Sequence, residues 1–177
     1  MHIRTWTMAV IGVSMAAAAA QTPDRTTPAQ GRGAGRGAAA ATMAAPPPGS
    51  AGIYKADADL MSVLAKATQA TPDMSTSPIA NTDQYRINLV RRGKGAGAIA
   101  HAGNTEVHYV IEGSATFVSG GTIARPAASG AVASIEGGVS RHVGKGDVVV
   151  IPENSPHWYT DVVTPITYLE VRFVAPK

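Results

Sequence analysis

The chain has no cysteine and few aromatic residues, which make up 5% of its 177 residues. Without cysteine it has no disulfides, no thiolate metal ligands and no cysteine nucleophile, so histidine and carboxylate side chains must hold any metal. Charged residues are also sparse, at 15% of the chain, with a formal net charge of +3. This length predicts one modest domain and excludes a large multidomain enzyme.

The positive excess lies at the N-terminus, where residues 1–52 carry four arginines and a single aspartate. Residues 53–177 hold the other 11 Lys/Arg and 11 Asp/Glu, so that part of the chain is neutral. It also lacks a basic stripe interleaved with aromatic residues, which is the pattern expected of a nucleic-acid-binding surface. We therefore expect no nucleic-acid partner.

Residues 1–20 have the pattern of a secretory signal peptide. Arg4 precedes an apolar stretch, and the small-residue run Ala16–Ala20 offers a cleavage site. A short transmembrane anchor is the alternative, but the apolar stretch is shorter than the roughly 20 residues that span a bilayer. The pattern predicts a periplasmic or secreted protein without stable membrane insertion after cleavage.

Residues 21–52 consist largely of Pro, Gly, Ala and Thr, a composition that predicts a disordered linker because it offers little apolar surface to bury. The composition changes at Ile53, and residues 53–177 are predicted to form the folded domain. Asp57 and Asp59 precede apolar residues at helical spacing, which predicts one helix over about residues 57–69. Pro72 and Pro78 end the helix-compatible sequence.

After residue 83 the chain breaks into short β-branched runs separated by Gly, Pro or Asn, the pattern of an all-β sandwich or barrel. The predicted strands are residues 85–91, 98–101, 106–111, 115–119, 139–143, 147–151, 157–161 and 166–174. Apolar residues on both faces of the runs at 148–151 and 166–174 suggest cover on both sides. Residues 123–135 are expected to form a long excursion between two strands.

Three histidines, His101, His108 and His157, lie on or beside strands that also supply Glu106 and Glu112. Imidazole plus carboxylate without thiolate is the ligand set of non-haem Fe, Mn, Ni, Cu or Zn sites. Glu112 is expected at a solvated turn. His142, which precedes a glycine-rich turn, is expected at the surface.

Two longer patterns contain these residues. The first consists of Gly93, Ile99, His101, Glu106 and Gly113, and the second consists of Gly146, Pro152, Asn154, His157 and Asp161. Their spacings resemble the two cupin motifs, G-x5-H-x-H-x4-E-x6-G and G-x5-P-x-G-x2-H-x3-N.

The resemblance implies an all-β cupin-type double-stranded β-helix, or jelly-roll barrel, with the one short helix at its N-terminal side. By position it implies a divalent transition metal held by His101, Glu106 and His157. Ile99 stands where the family has its first histidine ligand, while Asn154 and Asp161 replace the family's Gly and Asn. Two histidines and one carboxylate still suffice for a non-haem metal site.

His108 is a further candidate for the site. Strand side chains alternate, so Glu106 and His108 share one face. His108 is therefore expected either as an additional metal ligand or as a catalytic residue next to the ligands, acting as a hydrogen-bond partner or general base. By the same alternation Tyr159 and Asp161 share a face with His157 and are candidates to line the cavity, whereas Trp158 faces the other way.

Three functions are compatible with this sequence. The first is a metal-dependent enzyme acting on a small molecule, of the dioxygenase, isomerase, decarboxylase or lyase type, as the resemblance implies. The second is a non-catalytic cupin that binds a small ligand, with Ile99 marking a degenerate metal site. The third is a structural or partner-binding domain on a disordered tether. The resemblance also implies a homodimer.

Overall fold

The computed structural model describes residues 42–127 and 130–174. The predicted signal peptide, at residues 1–20, and residues 21–41 of the predicted linker lie outside the described residues. Within the described ranges, no helix combines the length and the apolarity that crossing a membrane requires.

Among residues 42–127 and 130–174, one helix precedes the sheet. Helix α1 (Asp57–Ala70) carries Asp57 and Asp59 in its first turn, where acidic residues favour the positive end of the helix dipole. It ends before Thr71, whose amide donates a hydrogen bond to Ala67 O at 2.8 Å. Its buried residue is Leu64, and the helix packs against the first two strands. The predicted helix is therefore confirmed to within one residue.

The strands pair antiparallel throughout the described residues, which confirms the predicted all-β class with one short helix. Their bounds are β1 Met74–Asn81, β2 Tyr85–Arg92, β3 Asn104–Ser119, β4 Thr122–Ala124, β5 Ser134–Glu136, β6 Val139–Gly144, β7 Val148–Ile151, β8 His157–Tyr159 and β9 Thr164–Val174. The main sheet has the order β1-β2-β9-β3-β6, and both β7 and β8 also pair with β3. Strands β4 and β5 form a separate hairpin.

Several predicted boundaries were wrong. Residues 98–101 form no strand, because only Ile99 makes an isolated bridge, to His157. The two predicted strands at 106–111 and 115–119 are one strand, β3, which continues through Gly113 at φ 76° with irregular register on either side. The predicted excursion at 123–135 contains most of the short β4–β5 hairpin.

Strand β1 was not predicted, and residues 42–52 belong to the predicted linker. Met43 bonds to the turn between β1 and β2: its amide donates to Asn81 O and its carbonyl accepts from the Asp83 amide, each at 3.0 Å. Residues 44–52 have no helix or strand. The Ala45 amide also donates to Asp83 Oδ1 at 3.0 Å, so the last part of the predicted linker is hydrogen-bonded to the domain through Met43 and Ala45.

The register of β2, β9 and β3 places side chains of one face in three successive rows across the sheet, interior except for the exposed Arg86 at one end. The first row is Arg86, Arg172 and Glu106, the second is Asn88, Glu170 and His108, and the third is Val90, Tyr168 and Val110. The third row belongs to the hydrophobic core, which also includes Phe117, Ile151 and Tyr159. Directly paired residues share a face of the sheet, so a polar end of the interior adjoins an apolar core.

Candidate metal centre

Glu106, near the start of β3, lies at the middle of the polar end and is only 1% exposed. Its Oε1 is 3.2 Å from His101 Nδ1 and 3.9 Å from His157 Nε2. One donor atom from each of these three residues lies within 4.8 Å of the others. Two donors at about 2.1 Å from a metal are roughly 3 to 4 Å apart, so the three groups are spaced as ligands of one ion.

His101 supplies a second observation that fits a metal. Its Nδ1 is buried and has no hydrogen-bond partner among the described residues, because its approach to Glu106 lacks hydrogen-bond alignment. Buried polar atoms are normally paired. A cation between Nδ1 and the carboxylate would satisfy both atoms.

His157 is fixed in the orientation that a ligand needs. It begins β8 and is held by the bridge to Ile99, with amide-to-carbonyl distances of 3.0 and 2.8 Å. Its Nδ1 lies 3.0 Å from Ser155 O, which can only accept, so Nδ1 carries the proton. The lone pair is therefore on Nε2, the atom that faces Glu106.

Both histidines are held in the neutral form that ligation requires. Burial, followed by the charge of Arg172, lowers the pKa of His101. Burial also lowers the pKa of His157, and this effect outweighs the hydrogen bond to Ser155. At neutral pH each imidazole therefore keeps one nitrogen lone pair that a metal could use, and in His157 that lone pair is on Nε2.

The second oxygen of Glu106 faces different partners. Its Oε2 accepts a hydrogen bond from Arg172 Nη2 at 3.2 Å and a longer one from His108 Nε2 at 3.4 Å. Burial alone would raise the pKa of this carboxyl, but His108, then Arg172, His157 and His101 lower it to about 2. Glu106 is therefore ionised, with Oε2 anchored and Oε1 turned toward the histidines.

His108 lies beside this centre and contacts Glu106 Oε2, whereas the other two histidines face Oε1. An ionised carboxylate only accepts, so Nε2 carries the proton, and Nδ1 accepts from the Tyr159 hydroxyl at 3.0 Å. His108 also belongs to a second group of potential ligands, with Glu106 and Glu170. In that group, however, Arg172 Nη2 already lies 3.2 Å from both carboxylates.

The three residues predicted on β8 and just after it differ in their burial. Tyr159 is buried against His108, whereas Trp158, on the opposite side of β8, is half-buried. Asp161 is exposed and accepts from Thr160 Oγ1 at 3.2 Å. Its predicted place in the cavity was wrong because β8 ends at Tyr159, and the alternation ends with it.

Glu112 and His142 are both exposed, as predicted. Glu112 lies within β3 rather than at a turn, and it accepts a hydrogen bond from Thr167 Oγ1 at 2.8 Å. Neither residue reaches the centre.

Sequence reasoning missed Arg172, Glu170 and Asn88. Asn88 Nδ2 donates to Glu170 Oε1 at 3.1 Å, which links the second row to the Arg172 cluster. A signal was present in β9, where Tyr168, Glu170 and Arg172 occupy every second position of an otherwise apolar run. Polar residues at a core-facing parity indicate a polar interior site.

Comparisons with known proteins give matches in structure alone. No protein-family model matches the sequence, and no curated protein matches it. The solved structures that match include the cupin domain of Cnp3 from Schizosaccharomyces pombe, with 6% identity over 58% of this chain and 66% of that chain and a TM-score of 0.45. A cupin superfamily protein from Desulfitobacterium hafniense matches with 13% identity over 58% and 78% and a TM-score of 0.41.

These solved neighbours are cupin structures. A predicted oxalate decarboxylase from Thermotoga maritima also matches, with 14% identity over 58% of this chain and 81% of that chain and a TM-score of 0.45. At such identities and TM-scores the likeness concerns the path of the chain alone. Function must therefore be argued from the side chains of the site.

Proposed function

We propose that this chain is a metal-binding cupin that holds one divalent transition metal on His101, Glu106 and His157 and acts on a small molecule as a metal-dependent enzyme. The observation that carries the proposal is the convergence of three donor atoms, His101 Nδ1, Glu106 Oε1 and His157 Nε2, within 4.8 Å. Two imidazoles and one carboxylate suit Fe, Mn, Ni, Cu or Zn and leave open positions for a substrate.

When bound, such a metal supplies Lewis-acid polarisation of a substrate oxygen or a place for O₂ activation. The chain's own residues do the rest. Arg172 and His108 hold Glu106 in orientation, and Ser155 holds His157. His108 keeps a proton on Nε2, 3.4 Å from the ligand carboxylate, with the Tyr159 hydroxyl hydrogen-bonded behind it. A buried hydrogen-bonded chain of this kind can hold or move a proton beside the substrate.

Elemental analysis of the purified full chain tests the proposal, with no affinity tag of histidines and no added metal. The key variant is His157→Ala, and His142→Ala is the matched control because His142 is an exposed histidine on β6. Near-stoichiometric metal in the parent and the control that is lost in His157→Ala supports the centre. Equal metal in all three proteins, or none in the parent after reconstitution, contradicts it.

The second candidate function is a cupin that binds a small ligand without turnover. Ile99 favours it, because this apolar side chain stands where the resembled motif has a histidine and is paired directly with His157. The enzyme is expected to contain metal and to turn a substrate over, whereas the binding module is expected to do neither. A parent chain that binds a small molecule but takes up no metal would support the binding module.

A periplasmic or secreted location is part of the proposal and is supported by the signal-peptide pattern of residues 1–20. Fractionation of cells that express the full chain tests it. Recovery of a shortened mature form outside the cytoplasm is the expected result. Exclusive recovery of the intact chain in the cytoplasm would contradict export.

A homodimer is also part of the proposal and is supported by an apolar outer face on β3 and β7. Tyr109 and Val148 are paired in register, and with Ile111 and Val150 they are 39% to 62% exposed. Adjacent exposed apolar side chains of this kind favour association. Sedimentation analysis of the parent and Val150→Glu tests it: the parent should be a dimer and the variant a monomer, and a monomeric parent contradicts it.

A further inference from the structure

Two arginines face each other at the polar end of the sheet. Arg86 of β2 and Arg172 of β9 are directly paired in the antiparallel register, so their side chains lie on one face. Like charges in this position destabilise a sheet. Arg172 is balanced by Glu106 and Glu170, each 3.2 Å from its Nη2. In the described part of the chain, Arg86 makes no ion pair.

A cavity of about 220 Å³ lies at this corner of the domain. Arg86 and Arg172 both line it, together with Asn104 at the start of β3 and Asp83 in the turn before β2. The buried Nε of Arg172 has no hydrogen-bond partner among the described residues. The cavity is thus lined by the exposed guanidinium of Arg86, by part of the Arg172 side chain and by the carboxylate of Asp83.

We propose that this cavity binds the carboxylate of a small organic acid, with Arg86 as the principal cation and Arg172 beside it. Because Glu106 and Glu170 already balance Arg172, Arg86 is the cation of the cavity that has no ion pair in the described part of the chain. One free guanidinium matches a monoanionic carboxylate better than a phosphate dianion. The planar fork of Arg86 can also donate two parallel hydrogen bonds to a carboxylate. An anion here would relieve the conflict between the paired arginines.

The position of the cavity connects it to the proposed metal centre. Arg172 lines the cavity and also donates to Glu106 Oε2 at 3.2 Å, so a single guanidinium separates the two sites. The positive charge of Arg86 also contributes to the lowered pKa of His101. The identification of this acid as the substrate of the metal centre rests on the proposed function. Carboxylate binding itself requires no metal.

Carboxylate binding is tested by titrating propionate into the full chain, freed of metal with a chelator, and following amide chemical shifts by NMR. Propionamide, the uncharged analogue of similar shape, is the probe control. Arg86→Gln removes the principal cation, and Arg141→Gln on the exposed strand β6 is the matched control for loss of one surface charge. Metal content is measured separately for each protein.

The expected result is saturable propionate binding that Arg86→Gln weakens about tenfold or more, the size expected for a lost charged hydrogen bond. Arg141→Gln should leave it unchanged, and propionamide should not bind. The inference is overturned if the parent does not bind propionate, if Arg86→Gln binds it equally well, or if propionamide competes with it. A parent that binds propionate but takes up no metal would overturn the proposed function and leave this inference standing.

Discussion

Replacing Arg172 with glutamine tests the charge balance on which the centre depends. The substitution keeps a polar side chain of related shape but removes the cation that lies 3.2 Å from both Glu106 Oε2 and Glu170 Oε2. The two carboxylates would then be left beside His108 with no arginine in contact. Because Glu106 is only 1% exposed, water cannot replace the lost cation there.

The size of the effect follows from burial and from the pKa of Glu106. Removing one partner of a buried ion pair costs about 3–5 kcal/mol, and we expect about 3 kcal/mol because Arg172 is partly exposed. In the parent, the folded-state pKa of Glu106 is lowered from 4.5 to about 2, so its ionised form stabilises the fold above pH 4.5. That contribution is lost as the pH falls through 4.5 toward 2.

Urea denaturation of the chelator-treated proteins measures the free energy of unfolding of each variant. At pH 7, Arg172→Gln should be about 3 kcal/mol less stable than the parent, and at pH 3 the deficit should shrink to roughly half. Arg172→Lys should recover part of the loss, and Arg141→Gln should lose almost nothing. Equal stability of Arg172→Gln and the parent at pH 7, or a deficit that does not change with pH, would refute this account of the cluster.

Three further outcomes are expected. Tyr159→Phe leaves His108 Nδ1 buried without its hydroxyl donor. The free energy of unfolding measured in urea should fall by about 1–2 kcal/mol, with metal content unchanged. Loss of metal would contradict the assigned roles of Tyr159 and His108. Ile99→His places a third imidazole, and a fourth potential ligand, at the position paired with His157. It should raise metal affinity at least about tenfold in chelator competition, whereas unchanged affinity would contradict the placement. Because the pKa values of His101 and His157 are lowered from 6.5, protons should compete with a metal for these imidazoles only below pH 6.5. Dialysis should therefore remove metal only below pH 6.5. Loss that starts at a higher pH would contradict the neutral-ligand assignment.

The parts of the fold that local patterns determine were predictable. Helix α1 was found because its acidic first turn and its apolar spacing are local, and most strands after residue 83 because turn residues separate them. Strand β1 was missed because its sequence, MSTSPIAN, holds Pro78 and three hydroxyl residues. It forms nonetheless as an edge strand, where proline is tolerated, with a register shift between Pro78 and Ala80.

The predicted strand at 98–101 shows the opposite error. Its short apolar run resembles a strand, but Ile99 alone pairs, and Ala98 bonds instead to Ala133 O at 2.8 Å. Gly97 also lies close to the backbone of Ala133, so apart from the bridge at Ile99 this segment packs against the excursion at 123–135 and does not extend the main sheet. The conformation of residues 98–101 therefore depends on a contact with a residue more than 30 positions further along the chain. Hydrophobic alternation contains no information about such a contact.

In the site, alternation placed Glu106 and His108 on one face, and the structure brings them within 3.4 Å of each other. Alternation did not give their roles. The orientation of His108 depends on Tyr159, which hydrogen-bonds to it from β8, and the orientation of Glu106 depends on Arg172, which reaches Glu106 from β9. The register between distant strands sets those contacts, and a single sequence does not specify it.

The arrangement of Glu106 between two sets of partners implies that the two proposed sites are coupled. A divalent cation held at Oε1 would add positive charge to the centre and weaken the hold of Oε2 on Arg172, which would leave this arginine more available to an anion in the adjoining cavity. Since coupling between two binding equilibria is reciprocal, an anion on Arg86 and Arg172 should in turn favour metal binding. Propionate titrations with and without a bound divalent metal measure this, and tighter binding to the metal-loaded chain is the expected result. Equal binding would show that Glu106 does not transmit charge between the sites, and tighter binding to the metal-free chain would contradict the sign of the coupling.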